Sequence, residues 1–149
     1  MQRLSSSPPR RAEILLVEDD EGDALLTEKA FRKGPIDFNL HVATDGLEAL
    51  RFMGQKGKYA DAPRPDLILL DLNLPGMHGR DVLREVKQHA SWRRIPVVIL
   101  TSSKAESDIL ATQDLYCNAY MVKPGSPDIF ERLAHTHQEF WFKYAQLSS

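Results

Sequence analysis

At 149 residues, with 42% hydrophobic and 27% charged side chains, the sequence has the size and balance of one globular domain, long enough to bury about two thirds of its unfolded surface. A formal net charge of −2 gives no basic face for nucleic acid or an anionic membrane. No apolar run approaches the roughly 18 residues of a membrane span and the first dozen residues lack a signal-peptide core, so a cytoplasmic location is expected. The single Cys117 excludes an intramolecular disulfide and a cysteine metal cluster, and packing is its expected role.

Residues 1–12 are rich in serine, proline and arginine and are expected to form a disordered tail, followed by one domain over 13–145 and a short tail at 146–149. From Glu13 onward, strand and helix patterns alternate five times. That alternation predicts an α/β fold with a doubly wound parallel sheet and helices on both faces. Ile14 to Val17 reads as the first strand and about Gly22 to Lys33 as the first helix, closed by Gly34-Pro35, with Leu26, Ala30 and Lys33 set against Leu25 and Glu28 as a moderate stripe. Phe38 to Ala43 alternates apolar and polar residues, as a half-buried strand near an edge does. Asp45 then caps a helix from Leu47 to about Phe52.

The connection from Gly54 to Pro65 is longer than this architecture needs, and reads equally as a partner surface or as slack. Leu67 to Leu70 is a strand with no polar face, hence buried on both sides, and it delivers Asp71 to its carboxyl end. The helical pattern resumes only at about Gly79, too far for Asp71 to be a simple cap, with a helix near Asp81 to Gln88 whose Val82, Leu83 and Val86 share one face. Pro96 to Leu100 is another buried strand, ending on Thr101. A short helix over Glu106 to Leu115, a last strand over Ala119 to Val122 and a final helix from Pro127 to about Tyr144 complete the pattern. The last helix carries more aromatic residues than one core face needs, Phe140 and Trp141 among them, so a second buried face is expected there.

Glu18-Asp19-Asp20, Asp71, Thr101 and Lys123 all stand at strand ends, which share one edge in a doubly wound sheet, at a crevice where the chain reverses. Each has a plain structural reading alone: a helix cap or solvated acidic face, a strand end, a surface lysine. Together they describe a chemistry. Crowded carboxylates call for a hard cation, and oxygen donors of this kind suit Mg²⁺, with Mn²⁺ able to substitute. A metal held by Asp19 and Asp71 neutralises the approach of a phosphoryl group to Asp71 as nucleophile, while Thr101 and Lys123 donate to the remaining phosphoryl oxygens. Asp20 can ligate or cap the first helix, and capping is the preferred reading.

Ile14 to Asp20, Asp71-Leu72-Asn73-Leu74-Pro75-Gly76-Met77-His78-Gly79, Thr101-Ser102-Ser103 and Tyr120 to Pro124 together resemble the receiver domain of two-component response regulators over about Glu13 to Tyr144. The resemblance implies a flavodoxin-like fold with five strands in the order 2-1-3-4-5 and five helices, and no enzymatic activity beyond its own phosphorylation and dephosphorylation. It implies Asp71 as phospho-acceptor, Asp19 as metal ligand, Asn73 as donor of a backbone carbonyl to the metal, Thr101 and Lys123 as phosphoryl partners, and Tyr120 as the ring that fills the space Thr101 vacates on switching. Lys123-Pro124 matches a peptide that is usually cis in the family. Two positions depart from the common pattern. Glu18 stands where many receivers have Asp, so its metal contact can pass through water, and His78 replaces a frequent Asp.

The Pro63 to Asp66 connection, Asp108-Ile109, the Tyr116 to Tyr120 pattern and Phe140-Trp141 further resemble the single-domain regulators paired with bacterial and cyanobacterial phytochromes. That implies a sensor histidine kinase, of phytochrome type, as phosphodonor and a homodimer through the fourth-helix, fifth-strand and fifth-helix face. Five residues follow Tyr144, too few for an output domain, so the expected output is a protein contact. Two other readings compete: an adaptor that docks without phosphorylation, and a Mg²⁺-dependent phosphohydrolase of the haloacid-dehalogenase type. The hydrolases carry their nucleophile on the first strand and their paired acids last, the reverse of the order here.

Overall fold

The computed structural model describes residues 11–34, 36–101, 119–122 and 135. Five strands, β1 (Ala12–Val17), β2 (Phe38–Ala43), β3 (Leu67–Asp71), β4 (Val97–Thr101) and β5 (Ala119–Val122), pair in parallel in the order β2-β1-β3-β4-β5. Three helices are described, α1 (Glu21–Arg32), α2 (Gly46–Met53) and α3 (Gly79–Gln88), with a 3-10 turn over Gly57–Tyr59. The helix expected over 106–115 lies outside the described residues, as do Cys117 and, except for His135, the helix expected from Pro127 to about Tyr144. β1 begins at Ala12, two residues before the expected Ile14, and the Ala12 amide bonds the Asp37 carbonyl at 3.2 Å.

Successive strand residues point to opposite sheet faces, so the apolar runs of β1 and β3 divide between two cores. Leu15, Val17, Ile68 and Leu70 pack with Phe52, Val82, Leu83 and Val86 of α2 and α3. Ile14, Leu16, Leu67 and Leu69 pack on the other face with Ala30, Phe31 and Phe38. All five residues of β3 are buried, as a strand covered on both faces requires. β2 is an edge strand, and Val42 is exposed there.

The stripe expected on α1 is corrected. Thr27, Ala30 and Phe31 are the buried residues, and Leu25 and Leu26 face outward. The Phe31 ring meets Phe38 edge-on at 6.5 Å, so the helix turns its largest ring rather than its leucines toward the sheet. Thr27 tolerates burial because its hydroxyl donates to the Asp23 carbonyl at 2.9 Å. Asp20 and Asp45 cap α1 and α2 by accepting the amides of Asp23 and Glu48, each at 2.8 Å, as their sequence positions predict.

The connection between α2 and β3 is built, not slack. Tyr59 stacks edge-on against Phe52 at 5.4 Å and its hydroxyl donates to Glu48 Oε2 at 2.7 Å. That bond, helped by the Lys58 and Arg51 cations and opposed by burial, holds the Glu48 carboxyl below its ordinary value. Further along, Gln55 Nε2 donates to the Ala62 carbonyl at 2.6 Å and Arg64 reaches the Ser91 carbonyl at 3.0 Å.

Candidate functional site at the sheet edge

β1 and β3 run in register with Val17 opposite Leu70, so the next residues, Glu18 and Asp71, emerge side by side at the carboxyl edge. The ladder extends one step further on the β2 side, where the Glu18 amide donates to the Ala43 carbonyl at 2.9 Å. Glu18 and Asp71 are buried, at 1% and 7% exposure, while Asp19 faces solvent. One carboxylate oxygen from each of the three lies within 4.8 Å of the others. Glu18 Oε2 accepts the Asp20 amide at 3.3 Å, and Asp71 Oδ1 accepts the Asn73 amide at 3.1 Å.

On the other side, Asp71 lies opposite Leu100, so Thr101 at the end of β4 is one step further along the same edge. Thr101 in turn pairs with Val122, the residue before Lys123, and Tyr120 stands opposite Ile99. The backbone therefore brings the ends of β1, β3, β4 and β5 to one edge, as the alternating pattern predicts. Lys123, the Lys123-Pro124 peptide, Phe140 and Trp141 lie outside the described residues.

The donor set suits a divalent cation. Three carboxylates, two of them taken out of water, converge with only oxygen atoms toward the shared space, which a hard ion such as Mg²⁺ or Mn²⁺ favours. Asp19 and Asp71 are placed to hold it, Glu18 is close enough to contribute, and exposed Asn73 follows directly on the loop.

Two residues of this loop escape sequence reasoning. α3 starts at Gly79, where the helical pattern is expected to resume, and His78 caps it: its Nδ1 accepts the Arg80 amide at 3.0 Å. Histidine is not a preferred cap, so nothing in its residue type announced the role. Asp71 is thereby excluded as the cap of α3. Gly79 closes the loop, its amide donating to the Leu72 carbonyl at 3.1 Å. The only sequence signal was a glycine where the helical pattern resumes.

Residues 14–134 match the response regulator receiver domain. The chain belongs to that family. It is 42% identical to the response regulator Rcp1 of Synechocystis sp. over 142 residues, spanning 95% of both chains. The crystal structure of the phosphorylated cyanobacterial phytochrome response regulator RcpA superposes with a TM-score of 0.81 at 40% identity, covering 89% of this chain and 95% of that one. The Mn²⁺-bound form of Rcp1 superposes at 0.78, with 42% identity and coverage of 87% and 94%. The receiver is thus related to phytochrome response regulators, and its flavodoxin-like sheet order is the one the resemblance implied. Among the described residues no helix is long and apolar enough to cross a membrane.

Proposed function

We propose that the chain is a single-domain response regulator that accepts a phosphoryl group on Asp71 from the phosphohistidine of a phytochrome-type sensor kinase and signals through altered protein contacts. The observation that carries this reading is the convergence of Glu18, Asp19 and Asp71 within 4.8 Å at the sheet edge of a receiver fold. An Asp71 carboxylate oxygen attacks phosphorus, the phosphorus–nitrogen bond breaks, and the imidazole leaves carrying a proton from solvent. The Asp19 and Asp71 carboxylates and the Asn73 carbonyl, with Glu18 direct or through water, would hold a divalent cation, which would neutralise the charge gathering at the phosphoryl oxygens. Burial of Asp71 keeps its nucleophilic oxygen within a partly dry crevice. The Asn73 amide on Oδ1 orients the carboxylate.

The Thr101 hydroxyl and the Lys123 ammonium donate to the transferred phosphoryl group, and Thr101 moves toward it while the Tyr120 ring takes the vacated space. The output is a change in the face formed by β5 and the helices expected at 106–115 and 126–144. On that face Phe140 and Trp141 support a homodimer, and Trp141→Ala is expected to shift the mass in light scattering toward monomer. The chemistry is the chain's own phosphorylation and dephosphorylation. The paired acids follow β1 and the nucleophile ends β3, which argues against a phosphohydrolase of the haloacid-dehalogenase type.

The deciding experiment is intact-protein mass after incubation with acetyl phosphate and Mg²⁺, for the native chain and Asp71→Asn. A phosphoryl increment that needs both Mg²⁺ and Asp71 is expected. No increment in the folded native chain, with a stronger phosphodonor also failing, would overturn the acceptor reading and favour the adaptor reading instead.

A further inference from the structure

We infer that Gly79 is a positioning residue for the Asp71 carboxylate, an inference that rests on Asp71 being the acceptor. The loop over 72–78 leaves β3 and must return at once to start α3, and it does so by laying Gly79 against the strand end. The Gly79 amide donates to the Leu72 carbonyl at 3.1 Å, while the Leu72 amide donates to Leu100 of β4 at 3.1 Å. The first residue of α3 is thereby tied to the residue immediately after the acceptor. A Cβ on Gly79 would collide with the Asp71 carbonyl oxygen and would stand 2.9 Å from Leu72 Cα and 3.0 Å from Leu72 O. These neighbours are backbone atoms of the strand end and cannot swing aside as a side chain does. The overlap is relieved only by moving α3 outward or by turning the Asp71–Leu72 peptide, and the second course carries the Asp71 side chain with it.

Helix propensity argues the other way. Gly79 opens α3, and alanine is the better helix former, so substitution there gains local stability unless the contact with Asp71 opposes it. The same geometry bears on the Asn73 amide, which holds Asp71 Oδ1 from within the loop that Gly79 closes. Carboxylate orientation, the loop carbonyls and the start of α3 therefore form one connected unit.

A matched comparison exists in the fold. Gly54 ends α2, and a Cβ there would meet the Leu50 carbonyl oxygen at 3.2 Å and Lys56 side-chain carbons at 3.7 Å, all outside the 72–78 loop and α3. Gly54→Ala thus makes the same change at a helix end without touching the loop that follows Asp71. The test measures acetyl phosphate incorporation by intact mass and Mn²⁺ binding by the paramagnetic resonance of free Mn²⁺, for the native chain, Gly79→Ala and Gly54→Ala. Each is read at a temperature where circular dichroism shows it folded.

Misplacement of a reacting group by a fraction of an ångström to one ångström predicts a loss of about 10- to 100-fold in the incorporation rate of Gly79→Ala at saturating donor, with weakened Mn²⁺ binding. Gly54→Ala should stay within about twofold of native in both, since it leaves the loop after Asp71 and the start of α3 in place. Native rate and native Mn²⁺ affinity in Gly79→Ala would overturn the inference, and so would equal losses in the two variants. If the native chain takes no phosphoryl group, the acceptor reading fails, and the Mn²⁺ comparison still decides the positioning role. If Gly79→Ala does not fold, the native chain suffices: Mg²⁺ should slow hydrogen exchange of the Gly79 amide, and should not do so in Asp71→Asn. Exchange indifferent to Mg²⁺ in both would overturn the inference.

Discussion

Asp71→Asn should make the metal-free protein more stable. Glu18, Asp19 and Asp71 each bring a carboxylate oxygen within 4.8 Å of the other two. Even at a water-like dielectric, two unit charges at that separation repel by about 0.9 kcal/mol, so the Asp71 charge costs about 1.7 kcal/mol against its two neighbours. The figure counts these three groups alone, at the outer separation of 4.8 Å. Asparagine keeps the shape and an oxygen to accept the Asn73 amide, which Asp71 Oδ1 accepts at 3.1 Å. A gain near 1.7 kcal/mol in a domain of this size corresponds to a melting temperature roughly 3–7 °C higher. The assay is calorimetry in a chelating buffer at neutral pH, repeated with millimolar Mg²⁺. The native chain should rise toward the variant when Mg²⁺ is added, because a cation bound among the carboxylates removes the repulsion and stabilises only the folded state. An Asp71→Asn protein that melts at or below the native temperature in chelator would refute this account of the site.

Three further outcomes are expected. Glu48 is held below its ordinary value of 4.5, first by the Tyr59 hydroxyl, so its contribution is present above that value and fades as pH falls through the lower folded value. Native protein should therefore melt above Tyr59→Phe at neutral pH by a gap that closes below pH 4.5, and a gap that widens on acidification would contradict the assignment. Asp45→Ala removes the acceptor of the Glu48 amide and should cost about 1 kcal/mol in urea unfolding, with phosphoryl acceptance by Asp71 unchanged. Leu83→Ala empties a fully buried position between α3 and the sheet and should cost about 2–5 kcal/mol at unchanged m-value; a loss under 1 kcal/mol would mean the core collapses around the gap.

Local chemistry was legible in the chain. β3 could be read because a strand covered on both faces needs an unbroken apolar run, and Leu67 to Leu70 provides one. The caps Asp20 and Asp45 could be read because a cap is a contact between residues three apart, decided by residue type and spacing alone. The candidate site could be named for the same kind of reason: carboxylates, a hydroxyl and an ammonium at the ends of apolar strands have one common edge once the strands are parallel. The α1 stripe could not be read, since Leu25, Leu26 and Phe31 are all apolar and the choice among them was made by Phe38 on β2.

Other features depended on partners far along the chain. Whether the 54–65 connection was slack or built turned on Tyr59 reaching Glu48 and on Arg64 reaching Ser91, 27 residues away. The distance between Glu18 and Asp71 came from the register that sets Val17 against Leu70. The constraint on Gly79 came from the peptide that follows Asp71. Residue types determine which groups are available and which segments must be buried, because those are properties of single side chains and short periods. Only the tertiary structure decides which of those groups touch, because contact between distant residues is a property of register and packing that no local spacing encodes.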